Sequence, residues 1–195
     1  MAKNDKIREN IIDIAQQVFS NLGFDKTTME LIAQKVQKGK STLYYYFKSK
    51  EELYAAVIDK EGNFIMNEIL KVINSSDSIE IIFRNYIHKR FDLTKKVVNY
   101  YSIVKDDYLK FYPMIQKYRH KHDEFEIMAI KQILLKGLLN KQIRLKEDEL
   151  DNAAFSIAAA IKGLEIPILI ESSSNTIENK LEVLLDLFLN GLLLK

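Results

Sequence analysis

The chain has no cysteine among its 195 residues, which removes disulfides, thiolate nucleophiles and thiolate metal sites together and suits a reducing compartment. Glycine and proline are nearly as scarce, at six and two, so a strand-rich fold with frequent turns is excluded and long uninterrupted helices are expected. Also missing are a glycine-rich phosphate loop, a Gly-x-Ser-x-Gly elbow and a His-Glu-x-x-His pair, which leaves an enzyme reading without support and gives no reason to expect a cofactor. Met1 to Asn10 is polar and charged where a secretion signal would be apolar, so a cytoplasmic location is expected. The longest apolar run, Ala153 to Ile170, is interrupted by Lys162, Glu165 and Pro167. It is barely long enough to cross a bilayer, and it reads as a buried helix with no membrane partner.

What is present favours an all-α protein. A hydrophobic content of 47% is ample for a buried core in one large domain, or in one small plus one medium domain. The formal charge is only +2, yet residues 1–50 carry nine Lys/Arg against five Asp/Glu, leaving 20 against 22 for the remainder. No acidic residue occurs between Glu30 and Glu51, whereas Lys35, Lys38, Lys40, Lys48 and Lys50 all fall in that interval. On charge alone such a cluster is either a phosphate-binding surface or an ordinary solvated patch.

Ile7, Ile11, Ile14, Ala15, Val18, Phe19 and Leu22 recur at helical spacing, and Gly23 follows where a left-handed cap would end the helix. Thr27 and Glu30 have the spacing of a capping box that opens a second helix, with Met29, Ile32, Ala33 and Val36 as its apolar positions. Gln37-Lys38-Gly39 forms a short polar turn in which the glycine is expected to make the reversal. A third helix, Lys40 to Phe47, follows. Two short helices joined by a tight turn beneath a longer first helix constitute a helix-turn-helix, the arrangement that puts its second helix into a major groove. Ser49 with Glu52 then caps a long helix to about Val72.

The remainder reads as further helices, giving about nine in all. Breaks are expected at Asn74-Ser75-Ser76-Asp77, before Pro113, near Lys146 and at Ser172-Ser173-Ser174-Asn175. Ala153 to Ile170 is apolar nearly all round. In the last helix Ile177, Leu181, Leu184, Leu185, Phe188 and Leu192 form one face, with Val183, Leu187 and Leu194 on another. A helix apolar on two faces needs two burial partners, so the last two helices are expected to cover the core on one side and a symmetry mate on the other. The residues assigned to that homodimer contact are Ile157, Ile161, Leu164, Ile168, Leu184 and Phe188. A well-buried hairpin in a monomer is the alternative.

Thr27-Thr28-Met29-Glu30-Leu31-Ile32-Ala33, followed by Gly39-Lys40-Ser41-Thr42-Leu43-Tyr44-Tyr45-Tyr46-Phe47-Lys48-Ser49-Lys50-Glu51-Glu52-Leu53, closely resembles the DNA-binding segment of the TetR family. The resemblance is strong over residues 7–60 and continues only in outline, through helix count and the ending Leu185-Asp186-Leu187-Phe188-Leu189-Asn190-Gly191-Leu192. It implies a helix-turn-helix DNA-binding domain over residues 1–50 and a helical ligand-binding and dimerisation domain over residues 51–195. The implied function is a ligand-responsive regulator, a repressor released from a near-palindromic operator by a small, largely apolar effector. A ligand-independent DNA-organising or protein-interaction module is the alternative. Carried over position by position, Lys40, Ser41, Tyr44 and Tyr45 would face base edges. Thr28, Gly39, Thr42, Tyr46, Lys48 and Lys50 would hold phosphates, with Leu43 and Phe47 in the core. The chain departs from the common pattern in the turn, where Gln37-Lys38-Gly39 replaces Gly-Val-Ser, and at Ser41, where a glycine is usual.

For an effector pocket the candidates are Tyr86, His88, Tyr100, Tyr101, Tyr108 and Phe111, because a mainly apolar site with a few hydroxyls binds small molecules. Ordinary core packing explains the aromatics equally well, and His88 reads as a ligand anchor or as a satisfied surface histidine. His120 and His122, two apart on a helix, point to different faces and are expected at the surface rather than around a metal.

Overall fold

The structure, a computed structural model, describes residues 3–100, 105–170 and 174–194, less the side chains at 3, 95, 97–100, 105–112, 114, 115, 165–170 and 174–178. Among the described residues there are eight α-helices: α1 Lys3–Lys26, α2 Met29–Lys35, α3 Lys40–Tyr46, α4 Lys50–Ile73, α5 Ile79–Tyr100, α6 Lys105–Leu139, α7 Leu150–Ile170 and α8 Ser174–Leu192. A 3-10 turn, Glu147–Glu149, precedes α7. The all-α expectation holds, with one α-helix fewer than the nine expected. The break before Pro113 does not occur. Pro113 lies inside α6, two turns from its start, where a single lost backbone donor does not end the helix.

The chain divides into two compact units, Met1–Asn63 with Lys96–His120, and Phe64–Lys95 with Lys121–Lys195. The first is built on Ile11, Ala15, Phe19, Ile32, Leu43, Phe47, Leu53 and Val57, all buried. Phe19, Phe24 and Tyr54 cluster with ring centroids 4.9 to 5.9 Å apart, Phe19 stacked on Phe24 and edge-on to Tyr54. Gly23 interrupts α1 at φ 79°, ψ 171°. This is a mirror-extended conformation rather than the left-handed helical cap expected, and it is open to glycine alone.

The second unit is built around Ile82, Phe83, Tyr86, Ile130, Ile133, Leu134, Ala154 and Leu185. Arg90 and Glu126 are buried within it as a two-point pair, Nε to Oε1 at 2.6 Å and Nη2 to Oε2 at 3.3 Å. The Tyr86 hydroxyl donates to the same Oε1 at 3.1 Å. Burial first, and then the Glu126 charge, push the Tyr86 phenol well above its ordinary range. His122 is buried as well, one turn before Glu126 on the inward face of α6, so only His120 lies at the surface as expected.

The C-terminal residues close this unit. Arg144 N–H donates to Leu192 O at 2.9 Å and Leu194 N–H to Gln142 O at 3.0 Å. Among the described residues no helix is long and apolar enough to cross a membrane.

Candidate nucleic-acid interface

The DNA-reading candidates sit on α3, whose orientation is set by what lies beneath it. Leu43 and Phe47 are buried one turn apart, so they pin one side of the helix to the core and turn positions 41 and 45 to the other, with Lys40 at the open first turn and Tyr44 on the flank. Lys40 and Ser41 are exposed, Tyr45 is 67% exposed and Tyr44 is half-buried. Three of the four predicted base-facing residues are thus open to solvent, and Tyr44 is partly packed against the core.

The turn before α3 differs from the sequence expectation. Gln37 carries the left-handed conformation, at φ 56°. Its N–H donates to Gln34 O at 3.0 Å, and that of Lys38 to Ala33 O at 3.0 Å, the paired bonds of a Schellman ending. Gly39 is extended at φ −67°, ψ 151° and caps α3 with no side-chain bond, so it makes no reversal. The N-terminal cap of α2 is also displaced by one residue. Thr28 Oγ1 accepts from Leu31 N–H at 3.2 Å, while Thr27 is buried and its hydroxyl donates to Gly23 O at 2.6 Å. Thr27 is used to close the Gly23 kink within α1, and no capping box with Glu30 forms.

Glu30 instead forms a salt bridge with Lys40. The bond from Lys40 holds the Glu30 carboxyl below its usual range, and Glu30 raises the Lys40 ammonium. Lys40 also lies 5.8 Å from the centre of the Tyr44 ring. The sequence reading missed this pair by spending Glu30 on a cap. The only signal was ten residues' separation between the first turns of two helices that the tight turn brings together.

Among the predicted phosphate residues, Thr28, Gly39 and Lys48 are exposed, and Thr42 and Tyr46 are half-buried. Tyr46 donates its hydroxyl to Asn4 Oδ1 at 3.4 Å. The Lys48 ammonium donates to Tyr44 O at 3.3 Å, and the Lys48 backbone N–H donates to Glu52 Oε2 at 2.6 Å. Ser49 caps α4 as expected, accepting from Glu52 N–H at 3.1 Å.

Lys50 is different. Its ammonium donates to Phe24 O at 2.7 Å and Thr27 O at 3.0 Å and lies 4.2 Å from the centre of the Phe24 ring. It holds the α1–α2 link to the start of α4.

Residues 11–57, which span this whole arrangement, match the family of bacterial regulatory proteins named for TetR. This segment is that of the TetR family. Over 95 residues it is 28% identical to the biofilm operon icaADBC HTH-type negative transcriptional regulator IcaR of Staphylococcus epidermidis, covering 49% of this chain and 51% of that protein. It is 31% identical over 96 residues to the protein of the same name from Staphylococcus aureus strain Newman, covering 49% and 52%. The chain thus spans about half the length of the curated relatives it matches. A crystal structure of a transcriptional regulator from Cytophaga hutchinsonii is similar over 94% of this chain and 97% of that one, with a TM-score of 0.77 and 26% identity. The TetR resemblance is thus matched over residues 11–57, and the helical body shares the fold of the Cytophaga regulator.

The second unit holds the remaining candidates. Tyr86 is enclosed in the buried Arg90–Glu126 cluster. His88 is half-exposed with Nε2 2.8 Å from Glu182 Oε1. Tyr101 and the side chains of Tyr100, Tyr108 and Phe111 lie outside the described residues. Leu164, Leu184 and Phe188, assigned to a dimer contact, are half-buried and line an apolar groove together with Phe83, Ile87 and Phe91.

Ile157 and Ile161 are buried in the chain's own core, and the side chain of Ile168 lies outside the described residues. The correction follows from helix geometry. With Ala154, Ile157, Ala158 and Ile161 inward, Phe155 is left outward at 62% exposure, joined by Val183 and Leu187 of α8 at 62% and 68%.

Proposed function

We propose that the chain is a homodimeric, ligand-responsive transcriptional regulator of the cytoplasm, a repressor released from a near-palindromic operator by a small, largely apolar effector. The observation that carries the reading is the outward face of α3, with Lys40, Ser41 and Tyr45 exposed above the buried anchors Leu43 and Phe47. Lysine can reach guanine acceptors, and tyrosine adds reach and apolar contact in a major groove. Thr28, Gly39, Thr42, Tyr46 and Lys48 take phosphates, which fix register and supply affinity. Lys50 has one ammonium hydrogen to spare for a phosphate beyond the two it gives to carbonyls.

Residues 1–50 form the DNA-binding part under this reading, and residues 51–195 bind effector and partner subunit. The outward apolar residues Phe155, Val183 and Leu187 of the last two helices suit a four-helix contact with a second copy. Gly163 and Gly191 add no side chain there and have open space above them, which favours close helix approach. Two third helices set about 34–36 Å apart then enter successive major grooves. The apolar groove along α5, α7 and α8 supports an apolar effector. To empty the operator, that effector must favour the released state by about 5.5 kcal/mol. The word "negative" in the names of the icaADBC relatives supports repression.

Fluorescence anisotropy of a labelled random duplex, titrated with the purified chain at low salt, tests the reading. Binding that weakens steeply as salt rises is expected; no binding at low salt would overturn it.

A further inference from the structure

We propose that Glu30 is a specificity residue: it neutralises Lys40 in the free protein and admits a neutral base acceptor to that ammonium more readily than an anionic phosphate. This rests on the reading of α3 as the DNA-contacting helix. Lys40 is the first residue of α3 and Glu30 the second of α2, so the salt bridge spans the two helix N-termini that the turn brings side by side. Both side chains are more than half exposed, and the pair sits on the surface that would meet DNA rather than in a structural interior.

The pairing is selective. Among the described residues none of Lys35, Lys38, Lys48 and Lys50, the other cations between Glu30 and Glu51, is paired with a carboxylate. The one paired lysine is the one at a base-reading position. Glu30 is firmly ionised at neutral pH, since the bond from Lys40 lowers its carboxyl.

The chemistry follows from donor count and charge. An ammonium has three hydrogens, so Lys40 can keep Glu30 and still donate to guanine O6 or N7, which are uncharged. A phosphate approaching the same ammonium is set against the Glu30 carboxylate, and the anion repulsion offsets the new contact. With its charge already matched, Lys40 also releases fewer counterions on sequence-blind DNA than a bare lysine would. Glu30 thus lowers affinity for DNA in general while leaving base contact open.

The test compares the parent chain, Glu30→Gln, Lys40→Gln and the double variant on a selected operator and a random duplex over a salt series. All four should retain the parent's helical circular dichroism, because both positions are exposed. Glu30→Gln is expected to bind random duplex several-fold more tightly. Its log affinity against log salt should steepen by about 0.9, the increment for one more phosphate contact, and its operator-to-random ratio should fall. In the Lys40→Gln background the same change should lose most of its effect. An unchanged ratio and slope for Glu30→Gln would overturn the proposal, as would an effect equally large without Lys40. A parent chain that fails to bind random duplex at low salt sinks the DNA reading itself, whereas a binding parent with unmoved variants sinks only the role of Glu30.

Discussion

Replacing Lys50 separates a structural lysine from a phosphate-holding one. Its half-buried ammonium makes two charge-assisted bonds, to Phe24 O at 2.7 Å and Thr27 O at 3.0 Å, and stands 4.2 Å from the Phe24 ring centre. A hydrogen bond to a charged group contributes about 1.5–3 kcal/mol. Both bonds are part-buried, so water entering the space left by the ammonium should recover roughly half of each, and loss of the ring contact adds about 0.5–1 kcal/mol. Lys50→Met keeps the aliphatic stem and removes the charge, so the cost should be about 2–4 kcal/mol over the two bonds and the ring contact. For a chain of this size that lowers the midpoint by at least roughly 4–8 °C. Thermal unfolding followed by circular dichroism measures it, with anisotropy on a duplex alongside. A midpoint within about 1 °C of the parent, combined with a clear loss of DNA affinity, would refute the reasoning and make Lys50 chiefly a phosphate contact.

Other consequences are as direct. The Glu68 carboxyl, held down to about 2 by Lys71 first and then Lys89, favours the folded state above its unfolded value near 4.5. That contribution fades as pH falls from there toward 2, so Glu68→Gln should flatten the stability-against-pH curve in this window; an unchanged slope would count against the pairing. Gln37→Gly relieves a left-handed glutamine at φ 56° and should stabilise by about 0.5–1 kcal/mol in denaturant titration, glycine's added chain entropy offsetting part of the gain. Leu187→Glu, alone or with Phe155→Glu, places charge on the outward face of α7 and α8 and should halve the mass seen by light scattering. An unaltered mass would move the dimer contact elsewhere.

Which features were legible in the sequence follows from how local their causes are. Leu43 and Phe47 are placed in the core by the family resemblance, and Ser49 with Glu52 is marked by a cap three residues apart, and both stand in the structure as read. The cap of α2 was misplaced by one residue because Thr27 and Thr28 are chemically alike. What separates them is burial of Thr27 against the Gly23 kink, a tertiary fact. The reversal at Gln37 was credited to Gly39, since glycine is the residue that ordinarily takes such a conformation; here the Schellman bonds from Gln37 and Lys38 hold a glutamine in it. The outward face of α7 was misjudged for a different reason. A helix apolar all round shows no stripe, so nothing in its own sequence says that Ile157 points in and Phe155 out. The Lys40–Glu30 bridge depends on two helix ends meeting across a turn, which no periodicity reports.

The central claim is that α3 reads base sequence as one of a symmetric pair. Selection of bound duplexes from a random pool over several rounds, with sequencing of the survivors, tests it most directly. The account predicts a two-fold symmetric motif with half-site centres about 10–10.5 base pairs apart, or a multiple of that spacing. A pool that binds but enriches no motif would contradict it.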